Sequence, residues 1–120
     1  MTASAEVVAR TQIAAQAIAD KLGTDIVAID MTGQLILSDV FLIATGANER
    51  QVDAIHDAVF EKLAEVGDRP IRIEKTANWI LLDYSDLVVH IQSQEVRNYY
   101  MLERLWNDSP RIELKIREER

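Results

Sequence analysis

The 120-residue chain has no cysteine, which removes a disulfide framework, a thiolate metal site and a cysteine nucleophile from consideration. It has only four glycines, at positions 23, 33, 46 and 67. Each falls where the hydrophobic pattern breaks, so they mark the ends of elements. Long apolar runs are absent: nothing approaches the roughly 20 residues of a membrane span. Met1–Arg10 holds Glu6 and one arginine ahead of an alanine-rich stretch, so no cleaved leader and no membrane partner are expected. Basic residues are also short, 13 against 20 acidic, for a net charge of −7 and a pI near 4.7. That is the wrong sign for a module that neutralises phosphates, so direct binding to naked DNA or RNA is disfavoured. No internal repeat or low-complexity tract is present.

What remains is ordinary material for one core, with 48% hydrophobic residues in a chain of single-domain length. Val7, Thr11, Ala14, Ile18 and Leu22 recur at helical spacing between Ser4, placed to cap, and Gly23, placed to close. Ile26–Ile29 and Val40–Ala44 read as buried strands on either side of a turn at Met31-Thr32-Gly33-Gln34. A second helix runs from Asn48 to Val66, with Asn48 and Gln51 in capping-box relation and Gly67 at its end. Along it Glu49, Asp53, Asp57, Glu61 and Glu65 form a like-charged row, which requires either a solvated face or a basic neighbour. Pro70–Glu74, Trp79–Asp83 and Leu87–Ile91 are three more strands, the last two joined by Tyr84-Ser85-Asp86. Ser93 caps a third helix expected to reach Trp106, stopped by Asn107-Asp108-Ser109-Pro110. The tail 111–120 either adds an edge strand through Ile112, Leu114 and Ile116 or frays. The order α-β-β-α-β-β-β-α predicts an α/β fold, a single central mixed sheet flanked by helices.

Catalytic constellations are weak. Thr45-Gly46-Ala47-Asn48 leads into a helix N-terminus that would suit an anion, yet neither G-x-G-x-x-G nor G-x-x-x-x-G-K-[ST] is present. Asp83 and Asp86 stand three apart across a turn, an awkward spacing for a metal pair. His56 and His90 are the only histidines and read as partly buried, hydrogen-bonded side chains. No G-x-S-x-G elbow exists, and nothing pairs a nucleophile with a base. Aromatics make up 6% of the chain, yet Trp79, Tyr84, Tyr99, Tyr100 and Trp106 all lie in its last 42 residues. Such clustering suits an interface anchor at Trp79 and Tyr84. Core filling explains Trp79, Tyr99 and Trp106 as well, and is the preferred reading for Trp106.

Ser38-Asp39-Val40-Phe41-Leu42-Ile43-Ala44-Thr45-Gly46 and Arg50-Gln51-Val52-Asp53-Ala54-Ile55 resemble segments of the ribosomal silencing factor, or Iojap-like, family. The run from Trp79 to Ile91 and the run Tyr99-Tyr100-Met101-Leu102-Glu103-Arg104-Leu105-Trp106 are similar to that family's W-x-L-L-D-Y-G-D-x-V-V-H and Y-x-L-E-x-L-W signatures. The resemblance covers about residues 5–110 and implies one domain over 1–110 with a C-terminal tail at 111–120. It also implies a fold similar to nucleotidyltransferases, without their G-S turn and D-x-D, and hence no enzymatic activity, metal or cofactor. The function it implies is docking on protein number fourteen of the large ribosomal subunit, which blocks joining of the small subunit and represses translation under nutrient limitation. It further implies a cytoplasmic location and a homodimer. The expected docking surface is Glu74, Lys75, Trp79, Leu82, Tyr84, Ser85 and Asp86. The competing reading is a nucleotide-handling enzyme with a metal on Asp83 and Asp86. Two positions depart from the family pattern: Ser85 replaces a glycine, and Gln92 stands where an aromatic or bulky residue is usual.

Overall fold

Three short polar side chains start the three helices. The computed structural model describes residues 2–34 and 38–117, and in it Ser4 Oγ accepts the Val7 N–H at the head of α1 (Ala5–Asp20). Asn48 Oδ1 accepts the Gln51 N–H at 2.9 Å to open α2 (Glu49–Glu65). Ser93 Oγ accepts the Val96 N–H to open α3 (Gln94–Tyr100). Each bond satisfies a donor that the first turn leaves orphaned. Gln51 departs from the expected capping box: its Oε1 takes the Ala47 N–H, while its Nε2 donates to the Lys21 and Leu22 carbonyls at 3.0 and 3.1 Å. One side chain thus serves the start of α2 and the end of α1.

The end of α1 corrects the reading of Gly23. The left-handed residue there is Leu22, at φ 64°, and Gly23 is needed for closeness instead. A Cβ at Gly23 would lie 2.4 Å from Ile18 Cγ2. Gly67, by contrast, closes α2 in the left-handed conformation, at φ 81°.

Among the described residues six strands make one mixed sheet: β1 (Thr24–Asp30), β2 (Val40–Gly46), β3 (Arg72–Lys75), β4 (Trp79–Asp83), β5 (Leu87–Ser93) and β6 (Arg111–Ile112). Their order is β3-β4-β5-β2-β1-β6, with β2 and β5 parallel at the centre and every other pair antiparallel. This is the α/β fold with one mixed sheet that the element order predicts. The sixth strand lies in the tail, where Arg111 and Ile112 pair with Ile29 and Ala28. Beyond it Gln12 and Gln16, one turn apart on α1, each donate to and accept from the extended tail backbone at residues 113, 115 and 117. Positions 118–120 of the tail lie outside the described residues.

Side-chain alternation gives the sheet two different faces. Ala28, Leu42, Ala44, Ile80, Leu82, Val89 and Ile91 point toward α1 and α2 and join Val7, Ile18, Val52, Ile55, Val59 and Leu63 in the main core. The opposite face carries Ile29, Ile43, Phe41, His90, Gln92, Trp79 and Leu81 by register. There a smaller cluster of Ile29, Met31 and Ile43 is covered by Leu102 and Trp106.

The third helix does not reach Trp106. It ends at Tyr100, and Met101 turns left-handed at φ 48° before a short 3-10 helix over Leu102–Trp106. The break re-aims the chain so that Leu102 and Trp106 reach the second cluster. Arg97, buried, meanwhile holds Glu103 at 3.1 Å and the Thr45 hydroxyl at 2.8 Å. A paired buried guanidinium of this kind costs about 3–5 kcal/mol to break, so a tertiary anchor overrides the helical pattern here.

Candidate functional site

The residues expected to form one surface are distributed over the sheet. Along β4 exposure alternates: Trp79, Leu81 and Asp83 share the second face, while Ile80 and Leu82 point into the main core. Glu74 pairs with Leu81, so it stands beside Trp79 on the second face; Lys75 pairs with Ile80 and stands on the other. Leu82 is fully buried and Tyr84 is only 5% exposed. Neither is displayed, which corrects the expectation for both. A side chain at a turn still reaches the core when alternation sends it inward, and Tyr84 continues the inward row of Ile80 and Leu82. Burial pushes the Tyr84 phenol up to about 12, with Asp68 adding to the effect.

At the far end of β4, Ser85 is exposed and adopts φ 75°. The turn keeps the left-handed backbone that a glycine would give, and Asp83 Oδ1 steadies it by accepting the Ser85 N–H at 2.8 Å. Asp86 is drawn the other way. Arg10 of α1 bridges Asp86 and Asp68, the latter at 2.7 Å. The two carboxylates, first the Asp86 hydrogen bond, raise the Arg10 guanidinium above its ordinary range. The Asp86 carbonyl accepts the Asp39 and Val40 N–H groups at 2.8 and 3.0 Å, which ties this turn to the start of β2. Asp83 and Asp86 therefore serve different partners, Arg72 and Ser85 for one and Arg10 for the other. Among the described residues no group of three or more His, Asp or Glu side chains is placed to hold a metal. The Ala47 N–H of the Thr45–Asn48 turn is taken by Gln51 Oε1, and the Gln51 N–H in the first turn of α2 is taken by Asn48 Oδ1, so the helix's own side chains serve both donors.

The acidic row on α2 has its basic neighbour in Lys75, whose Nζ lies 2.8 Å from Asp53 Oδ1. That hydrogen bond raises the Lys75 ammonium above its usual range, helped by Asp57 and Glu49.

The second face of the sheet is the one that α1 and α2 leave open, and α3 with the short 3-10 helix covers only part of it. Trp79 is partly buried; its indole N–H donates to His90 Nδ1 at 3.3 Å, and its ring lies 5.1 Å from that of Tyr100. Tyr100 stacks edge-on against Tyr99 at 4.9 Å. These tyrosines are 53% and 77% exposed, so Tyr99 is a surface residue and not core filling. Trp106 does pack, edge-on to Phe41 at 5.2 Å. Behind Trp79, burial holds His90 down to about 4, so the ring is neutral at physiological pH. Its Nε2, and both amide atoms of the fully buried Gln92, have no hydrogen-bond partner among the described residues. Trp79, Tyr99 and Tyr100 form a contiguous aromatic patch, and Glu74, opposite Leu81, lies on the same face of the sheet. Tyr99 and Tyr100 were not among the residues expected from the sequence to dock. Their signal was a pair of adjacent aromatics in a composition poor in them.

Comparison with known proteins agrees with this architecture. The family model described as ribosomal silencing factor during starvation matches residues 4–120. The ribosomal silencing factor RsfS of Halalkalibacterium halodurans is 40% identical over 106 residues, covering 87% of this chain and 91% of that protein. The RsfS of Bacillus subtilis is 40% identical over 105 residues, 86% of this chain and 89% of its own. A crystal structure of a Chromobacterium violaceum protein superposes with a TM-score of 0.80 at 31% identity, covering 92% of this chain and 93% of that one. One from Bacillus halodurans gives 0.77 at 38% identity, covering 92% and 100%. With its signatures on β4, β5 and the α3 region, and a family model that spans nearly its whole length, the chain belongs to the ribosomal silencing factor family.

Proposed function

We propose that this chain docks on the large ribosomal subunit, through the subunit's protein number fourteen, and so blocks joining of the small subunit and represses translation when nutrients are limiting. It works in the cytoplasm, needs no cofactor and self-associates as a homodimer. The observation that carries the docking reading is the aromatic patch of Trp79 with Tyr99 and Tyr100 of α3, on the face that α1 and α2 leave uncovered. Aromatic anchors with a polar margin are the usual energetic centre of protein interfaces. Glu74, on the same face, supplies that margin, and Ser85 and Asp86 extend the surface at the other end of β4. Lys75 lies on the opposite face beside Asp53 and contributes through charge alone. The net charge of −7 suits a basic partner, and complementary potentials speed and orient encounter.

The mechanism is occupancy. No bond is made or broken; a blocker has only to hold ground that the small subunit would otherwise cover, with the rest of the fold as its bulk. Sedimentation with purified large subunits, small subunits and intact ribosomes tests it. The chain should travel with large subunits and lower the yield of joined ribosomes, whereas retention by small subunits alone would overturn the proposal.

A further inference from the structure

The strand β3 closes one side of the sheet, and all four of its residues are exposed. The Thr76 N–H donates to the Trp79 carbonyl at 3.0 Å. With the register running from Lys75 opposite Ile80 to Arg72 opposite Asp83, antiparallel alternation turns the backbone groups of Arg72 and Glu74 toward β4. Those of Ile73 and Lys75 then face the open edge. Ile71 is 73% exposed and Ile73 41%. An edge of this kind invites pairing unless something guards it, most often a lysine on the strand, a proline or a bulge. The strand's own lysine is withdrawn, since Lys75 Nζ is held against Asp53 on α2.

The sequence Ile71-Arg72-Ile73-Glu74-Lys75 is complementary to itself when one copy runs antiparallel to another about Ile73. Ile73 then faces Ile73 of the partner subunit. Arg72 faces Glu74 of the partner subunit, and Glu74 faces Arg72 of the partner subunit, so both charge contacts are attractive. A parallel, in-register pairing would set like charges against each other. Opposed charges across a ladder stabilise it and like charges destabilise it, so the pattern selects the antiparallel arrangement, which is also the one a two-fold axis generates. We propose that β3 is a self-association edge, at which a second copy of this chain continues the sheet from six strands to twelve. This rests on the homodimer reading above and gives that contact a place, a register and a symmetry.

Sedimentation equilibrium of the full chain at low salt, from about 1 to about 300 µM, tests it with no ribosome present. The wild type should dimerise. By symmetry either Arg72→Glu or Glu74→Arg converts both attractive pairs into repulsive ones and should raise the dimer dissociation constant about tenfold or more. The double reversal should restore it to within about threefold of wild type, and Ile73→Asp should abolish dimers. These side chains are exposed, and a circular-dichroism melt confirms that each variant is folded. A wild type monomeric throughout the range would overturn both the edge and the homodimer reading. A dimer indifferent to the single reversals, or weakened equally by the singles and the double, would overturn the edge alone. Docking on the large subunit is judged separately by co-sedimentation, so failure of one result does not mask the other.

Discussion

Replacing Trp79 by alanine separates docking from packing, because the structure gives the two roles different sizes. The indole is partly buried, donates to His90 Nδ1 and rests against Tyr100. A packed tryptophan buries about 150–250 Å². Taking roughly 120 Å² as the share removed from water here, at about 25 cal/mol per Å², truncation should cost about 3 kcal/mol of stability. That is a serious loss but smaller than the roughly 5–15 kcal/mol typical of a domain, so Trp79→Ala should remain folded at 25 °C. Urea unfolding measures this term. The binding term is additional: an interface anchor costs about 2 kcal/mol or more on truncation, about thirtyfold in affinity. Co-sedimentation at a series of large-subunit concentrations measures it on protein shown to be folded. His90 provides an internal gauge, since its pKa, held near 4 by burial, should climb toward about 6.5 once the indole is gone, as read by NMR titration. A folded Trp79→Ala that binds large subunits with unchanged affinity would refute the placement of the docking surface. An unmoved His90 pKa would refute the description of Trp79 as its cover.

Tyr84→Phe should leave stability unchanged or slightly higher in a urea titration, because the hydroxyl is buried without a partner; Tyr84→Ala should cost about 3–5 kcal/mol by the same measurement. Gln92→Leu removes two unpartnered amide atoms from a fully buried site and should raise stability by about 1–3 kcal/mol; a loss would mean that the amide has partners in solution. Leu22→Gly relieves a left-handed residue whose side chain is exposed and should raise stability by up to about 1 kcal/mol in thermal melts. Gly23→Ala beside it should lower stability, because its Cβ meets Ile18. For His90 the folded pKa is depressed, near 4 against about 6.5 unfolded. Between those values the unfolded chain holds more protons, so the histidine's contribution is full above about pH 6.5 and falls by about 1.4 kcal/mol per unit as pH drops toward 4. Denaturation curves at pH 7, 6 and 5 should show that slope, and His90→Gln should flatten it.

The elements that were legible in the sequence are those fixed by neighbours along the chain. Ser4, Asn48 and Ser93 cap helices by reaching three residues ahead, a distance any reading of the sequence covers. The strand cores were legible too, because β-branched runs bounded by turns have few alternatives. The misreadings lie where packing decides, at Gly23 within one element and elsewhere through contacts remote along the chain. Gly23 reads from the sequence as a helix stop, whereas its neighbour Leu22 bends the chain and the glycine makes room for Ile18. Met101 interrupts a good helical pattern because Arg97, Leu102 and Trp106 are held by β2, Glu103 and the second cluster. Leu82 and Tyr84 join Trp79 on the surface that the family resemblance and the turn imply, although alternation along β4 sends Trp79 to one face and Leu82 and Tyr84 to the other. In β5 all seven residues are buried, so even the alternation disappears. The family signatures carried identity across these gaps, since a match of residues needs no knowledge of facing.

The parallel pairing at the centre of the sheet has a consequence for how the chain is made. Leu42 of β2 lies beside Val89 of β5, forty-seven positions later, whereas the neighbours on either side of that pair, β1 with β2 and β4 with β5, are close in sequence. The β1–β2 pair and the β3-β4-β5 meander can each assemble locally, β6 adding to β1 from the tail, and the seam between them must wait. At roughly 5–20 residues per second of synthesis, the β1–β2 half stands for several seconds with its inner edge unpaired and apolar side chains on both faces. Because loop closure across the seam must precede its reward, mutations at Leu42 or Val89 should slow folding, and those in β3 or β6 should mainly speed unfolding. A sheet whose central seam waits for β5 leaves the nascent chain most exposed to aggregation partway through translation.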